Sequence, residues 1–355
     1  MRALRVALVG YGMGGCLFHA PFIAADPRFD LSLVVSANLD RRLAVTARYP
    51  GTSLADSVED LLDRLDDIDL VVVSTPNSTH KAIAEAVISR RRPVVVDKPV
   101  TATVNETRAL AALAKASETT IIPFQNRRWD GDFRTVTSLL RTGELGTLHT
   151  FESRFERWQP EVSSAPDRAW KNASGEGVGT GIVFDLGAHL IDQAVMLFGR
   201  PEAVYAEVEV RRNGSNVDDD AFVSLNYRHG PRVHLWMSAV AADLGPRFRL
   251  LGDVSAYVKA GMDVQEVMLF EGHLPTEPGW GEEPPTSWGH IVTGTDRQDV
   301  PTLPGAYQHF YAEVASCLLD GAPPPVDIAD AIVTAEVIEM AHLSSRSGTV
   351  ESLDR

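Results

Sequence analysis

Two short stretches of this 355-residue chain carry side chains able to move a proton or steady a developing charge. The first, Asp97-Lys98-Pro99, directly follows the apolar residues 94–96. A lysine ordinarily prefers an open helix face to the end of a buried strand, and the proline behind it fixes the turn that aims it. The second, Asp185-Leu186-Gly187-Ala188-His189-Leu190-Ile191-Asp192, places Asp185, His189 and Asp192 at i, i+4 and i+7, on one helical face. Histidine exchanges a proton near neutral pH, and a carboxylate beside it orients the ring or holds a substrate hydroxyl. The same trio could ligate zinc, although further ligands are not evident and the reading adopted is no metal. Asp192 by itself reads as structural, bonded to a backbone group or an arginine.

A third stretch offers a place for a cofactor. Gly10-Tyr11-Gly12-Met13-Gly14-Gly15 lies between a strand-like run, 5–9, and a helical one, 16–25. Strand, G-x-G-x-x-G loop and helix form the dinucleotide fingerprint: the first glycine turns tightly, the second admits the pyrophosphate, and the helix N-terminus supplies N–H groups. The second strand, 31–35, ends in Ser36-Ala37-Asn38-Leu39-Asp40-Arg41-Arg42 without the carboxylate that usually holds a ribose diol. Ser36, Asn38 and one of Arg41 and Arg42 could cradle a 2′-phosphate, which favours NADP(H). NAD(H) is the alternative, should the arginines only solvate a helix start capped by Asp40.

Further candidates stand at the carboxyl ends of later strands, where a doubly wound sheet holds its ligands. Ser74-Thr75-Pro76-Asn77 follows strand 70–73, and Gln125-Asn126-Arg127-Arg128-Trp129 follows a strand ending near Pro123. With Asp97 and Lys98 these loops are expected to face the nicotinamide. Trp129, Trp158 and Trp170, with Arg127, Arg157, Lys171 and Asp130, flank the expected cleft, and Tyr307 could border it. Aromatic faces and charged hydrogen-bonders suit a small polyhydroxylated substrate, though each tryptophan could instead serve a core or an interface.

The elements that position these residues alternate from 5 to about 123: strand, helix, strand, helix, as a parallel sheet wrapped by helices requires. Beyond 126 four strand-like runs, 147–155, 203–211, 221–227 and 232–237, lack intervening helices and point to a mostly antiparallel sheet in a second domain. The fold class is therefore α/β, with a Rossmann domain over 1–123 and a substrate and oligomerisation domain over 124–355. The main helix of the second half is expected at 184–198. The Pro- and Gly-rich stretch 274–304 reads as a long surface excursion. A formal net charge of −15 excludes nucleic acid and anionic membranes as bulk partners. No apolar run is long enough for a membrane span and no signal-peptide pattern precedes the first strand, so the expected place is the cytoplasm. Two cysteines, Cys16 and Cys317, are too few for a disulfide framework.

Together these motifs resemble the Gfo/Idh/MocA family of oxidoreductases. The resemblance rests on the loop 10–15, Ser74-Thr75-Pro76-Asn77 with His80, Asp97-Lys98-Pro99 and the segment 181–192, and spans nearly the whole chain. Within the family, Phe18-His19-Ala20-Pro21, the string from Asn126 to Asp130 and Pro160-Glu161-Val162 look most like the NADP-dependent scyllo-inositol dehydrogenase branch. The resemblance implies a Rossmann domain, then an α/β domain whose open sheet commonly forms homodimers or homotetramers. It also implies catalysis by Lys98 and His189 with Asp185 as third member, His80 joining the cofactor loops, and a secondary hydroxyl of a cyclic polyol or sugar as substrate. Reduction of another carbonyl, or sensing of NADP without chemistry, are the rival readings. Two departures stand out: Asp97 replaces the family's usual glutamate, and the arm Arg157-Trp158-Gln159-Pro160 is poorer in arginine than expected.

Overall fold

A computed structural model describes residues 2–175 and 177–353; the outer domain limits, 1 and 355, lie outside the described residues. The first sheet has six parallel strands: β1 (Leu4–Val9), β2 (Phe29–Val35), β3 (Ser53–Ala55), β4 (Leu70–Val73), β5 (Val94–Asp97) and β6 (Ile121–Phe124). Their order is β3-β2-β1-β4-β5-β6, the doubly wound arrangement in which strand order reverses beside β1. Helices cover both faces, so β4 and most of β5 are buried throughout and read as unbroken valine-rich runs rather than alternating ones. The short β3 was not legible in sequence, because three residues between helices give no period to read.

The second sheet has nine strands: β7 (Leu148–Glu156), β8 (Ala203–Glu209), β9 (Asp220–Asn226), β10 (Arg232–Ser238), β11 (Phe248–Gly252), β12 (Ala256–Lys259), β13 (Gly289–Thr293), β14 (Asp296–Val300) and β15 (Glu351–Ser352). Only β7 and β10 pair in parallel. On β7, Phe151, Ser153 and Phe155 alternate inward toward the helix Ala188–Phe198, and Phe151 packs on Phe198 and Phe248. The expected excursion at 274–304 is corrected here: it contains the β13–β14 hairpin at the sheet edge. β14 reads Asp-Arg-Gln-Asp-Val and is almost wholly exposed, so it shows no apolar alternation, and charge suits an edge strand.

The chain divides into two compact units, Met1–Asn126 with Gln265–Trp280 and Ala306–Ala331, and Arg127–Val264 with Gly281–Gly305 and Ile332–Arg355. The sequence boundary near 123 lies three residues from the first division, but the return of 265–280 and 306–331 to the first unit was not foreseen. Among the described residues no helix is long and apolar enough to cross a membrane.

Candidate active site

In the first unit the glycine loop closes the carboxyl end of β1. Gly10 has φ +95°, and a Cβ there would stand 2.1 Å from the Ser74 carbonyl oxygen; one at Gly15 would stand 2.1 Å from that of Gly10. Only glycine fits either position. Gly12 is different: the nearest group to a Cβ there is the Arg41 guanidinium, at 3.7 Å. The loop is thus a backbone cradle with one arginine beside its second glycine, which fits a dinucleotide phosphate. Residues Gly14–His19 wind as a π-helical turn before the helix Ala20–Ala25, so the expected single helix over 16–25 is in two parts. Tyr11 is buried and Met13 exposed.

At the end of β2, Asn38, not Asp40, caps the helix Leu39–Arg48, its side chain accepting from the Arg41 amide at 2.9 Å. The Ser36 hydroxyl accepts from the Asn38 amide at 3.3 Å. Arg42 is paired with Asp56, in a surface pocket also lined by Asp60, Asp63 and Arg64. Of the two arginines, then, Arg41 lies at the cradle and Arg42 is engaged elsewhere.

The loops after β4 and β5 are tied together. Ser74 Oγ donates to Asp97 Oδ2 at 2.6 Å, and His19 Nε2 meets Asp97 Oδ1 at 2.9 Å, while His19 Nδ1 meets the Tyr311 hydroxyl at 2.6 Å. Burial pushes the Asp97 carboxyl up, but the His19 charge, the bonds from His19 and Ser74 and the charge of His80 outweigh it and hold it below its ordinary 3.8. A Cβ at Gly14 would lie 3.2 Å from Asp97 Oδ2, so this carboxylate underlies the glycine loop. Asp97 therefore supports the loop through His19 and Ser74. Lys98 is half-buried beside it. Pro76 begins the helix Asn77–Ile88, and Thr75 and Thr79 share a hydroxyl bond of 2.7 Å. His80, expected at the cofactor, is fully buried with its nitrogens 2.9 Å from the Pro99 carbonyl and 2.8 Å from that of Thr75. It braces the loops from beneath. Asn126, also buried, ends this unit. Tyr307 is buried with its ring edge-on to Phe18 and Phe22, a packing role rather than the expected cleft border.

In the second unit Phe155 gathers three expected residues. The Arg127 and Arg157 guanidinium carbons lie 4.6 and 4.9 Å from its ring centre, and the His189 ring centre lies at 6.4 Å. Two cations around one aromatic ring and a mostly buried imidazole make a polar site with an apolar centre. Asp185 lies in a π-helical turn, Val183–Gly187, before the helix Ala188–Phe198, so its spacing to His189 is not that of a straight α-helix. Its Oδ2 accepts from Lys171 Nζ at 3.1 Å, and that ammonium lies 5.7 Å from the Trp170 ring centre. Asp192 departs from the group: it is buried and accepts both hydrogen bonds of the Arg128 fork, at 2.7 and 2.8 Å. Trp129 and Asp130 are buried, Asp130 within 3.5 Å of Arg127, whereas Trp158 is 57% exposed. Among the described residues no group of three or more His, Cys, Asp or Glu side chains is placed to hold a metal ion.

Several supporting residues escaped sequence reading. Gln193 donates to the Arg127 carbonyl at 2.8 Å and accepts from Arg247 at 2.8 Å, and Arg247 also donates to Ser153 at 2.5 Å. These bonds pin the helix one turn beyond His189. Tyr311 lies 292 residues from His19, and no local pattern announces such a pair. His19 carried a signal, an imidazole among apolar residues just after the glycine loop, without a partner to give it a role.

The nucleotide cradle and doubly wound sheet, followed by the second α/β unit, define a nicotinamide-nucleotide-dependent oxidoreductase. The chain belongs to the Gfo/Idh/MocA oxidoreductase family: residues 4–124 match its NAD-binding Rossmann fold and residues 137–353 its C-terminal alpha/beta domain. It is 31% identical over 347 residues to the scyllo-inositol 2-dehydrogenase (NADP(+)) IolW of Bacillus subtilis, covering 97% of this chain and 94% of that protein. It is 36% identical over 345 residues to the uncharacterized oxidoreductase YdgJ of Escherichia coli, covering 97% and 96%. The solved structure of the Bacillus subtilis oxidoreductase yvaA has a TM-score of 0.92 at 30% identity and covers 99% of both chains.

Proposed function

We propose that this protein is an NADP(H)-dependent dehydrogenase that interconverts a secondary hydroxyl and a ketone on a cyclic polyol or sugar. The observation that carries the reading is the turn Asp97-Lys98-Pro99, whose carboxylate underlies the glycine loop and so places a half-buried lysine beside the nucleotide cradle. The similarity to an NADP(+)-dependent scyllo-inositol 2-dehydrogenase supports the substrate class. The cradle residues Gly10 to Gly15, with Ser74, Thr75, Pro76, Asn77 and Asn126, hold the cofactor, and Arg41 with Ser36 and Asn38 takes the 2′-phosphate. When bound, the nicotinamide supplies the carbon that accepts or returns hydride.

In the oxidative direction His189 removes the hydroxyl proton. Its Nδ1 is buried, which supports Nε2 as the exchanging nitrogen. Lys98 supplies the cation that stabilises the charge developing on the reacting oxygen. Asp185, with Lys171 against it, holds that hydroxyl or its neighbour, and Arg127, Arg157 and Trp170 bind the remaining hydroxyls and a C–H face of the ring. Reduction runs the same proton steps backwards. The face of the nine-stranded sheet on which Arg154 stacks 3.9 Å from the Trp236 ring centre suits a homodimer or homotetramer contact. The place of action is the cytoplasm. The test is nicotinamide absorbance with NADP+ or NADPH across inositols, aldoses and ketoses. Turnover of a cyclic polyol is the expected result. Reduction of an acyclic carbonyl alone, or NADPH binding with no turnover, would replace this reading with a different reductase or with a sensor.

A further inference from the structure

We infer that His80 is a positioning residue for Lys98, one jaw of a two-point clamp on the turn that carries it. The inference rests on the reading of Lys98 as the cation at the reacting oxygen. The first anchor is residue 97: its carboxylate is bonded by Ser74 Oγ at 2.6 Å and His19 Nε2 at 2.9 Å, and His19 is itself braced by Tyr311. The second anchor is residue 99, whose carbonyl lies 2.9 Å from His80 Nδ1. Lys98 is the single residue between the two anchors.

The same imidazole reaches the Thr75 carbonyl with Nε2 at 2.8 Å, so one fully buried ring is a strut between the turn after β5 and the loop after β4. Carbonyl oxygens only accept, so both ring nitrogens donate when both bonds are made. A rigid planar ring fixes the separation of the two carbonyls more tightly than a flexible side chain can, and it presents no face to a ligand. His80 thereby governs where the Lys98 stem begins. A catalytic cation held loosely loses the preorganisation on which its effect depends.

The test uses the full chain. H80A lowers kcat at least about tenfold with a clearly smaller rise in the KM for NADP+, because the lysine turn loses one of its two anchors while the loop 10–15 keeps its own contacts. H80Q, whose amide nitrogen can still donate to one carbonyl, recovers part of kcat. A rise in KM for NADP+ at unchanged kcat would make His80 a cofactor contact, and a lower Tm with unchanged kcat would make it structural only; either overturns the proposal. One measurement on the cofactor-free protein needs no substrate. After reductive methylation, the Lys98 resonance, assigned by its loss in K98R, shifts or broadens in H80A and H80Q, and an unmoved resonance overturns the clamp. If wild type turns over no polyol or carbonyl, the reading of function fails while the Lys98 resonance still decides the clamp.

Discussion

Arg41 and Arg42 are neighbours in sequence with different surroundings: one guanidinium lies by Gly12, the other is paired with Asp56. A charge-assisted hydrogen bond to phosphate contributes about 1.5–3 kcal/mol. R41A is therefore expected to raise the KM for NADP+ about 10- to 100-fold and leave that for NAD+ nearly unchanged, whereas R42A changes either by less than about threefold. Steady-state kinetics with both cofactors decides this, and equal losses in the two variants would remove the assignment. The pair also marks a limit of sequence reading. Two cations after the second strand were legible, but which of them lies by the glycine loop depends on Asp56 and on the side-chain path, which no spacing encodes. His80 gives the same lesson in reverse: its place beside the loops was legible, its burial beneath them was not.

At the scale of elements, the glycine loop and the helix carrying His189 each depend on a small number of contacts. A Cβ at Gly10 would meet the Ser74 carbonyl, in backbone that favours glycine, so G10A should destabilise the protein by more than about 1 kcal/mol and abolish NADP+ binding, read by melting with and without cofactor. The start of the other helix is held by Asp218, which accepts from the Val183 amide at 2.9 Å and lies 3.6 Å from His342. Burial pulls the His342 imidazole down, but Asp218 and the Ile338 carbonyl more than offset it, so its pKa stands above the ordinary 6.5. A raised histidine stabilises fully below about pH 6.5, and that contribution is lost as pH rises through its folded value. The Tm gap between wild type and H342Q should accordingly be widest below pH 6.5 and shrink above it, whereas a gap independent of pH would show that the charge contributes nothing. The unbroken apolar runs of β4 and β5 and the helix Ala188–Phe198 were legible because burial imposes their pattern. Strands β11 to β15 were not: they are short, and those at the edge carry charges that break the period-two signal.

For the whole molecule, the glycine loop and Lys98 fall in one unit, and His189 with Arg127 and Arg157 around Phe155 in the other. The order of the candidates along the chain was legible because each stands at the end of a strand or on a helix face. The return of 265–280 and 306–331 to the first unit was not, since long-range packing such as Tyr311 with His19 leaves no local trace. The central claim is the proposal that Lys98 and His189 are both required for oxidation of a cyclic polyol with NADP+ as acceptor. Its most direct test is the initial rate of NADP+ reduction with scyllo-inositol for wild type, K98A and H189A, each checked for an unchanged Tm. The account predicts turnover by wild type and a fall in kcat of at least about 100-fold in each variant; near-normal turnover in both folded variants would contradict it.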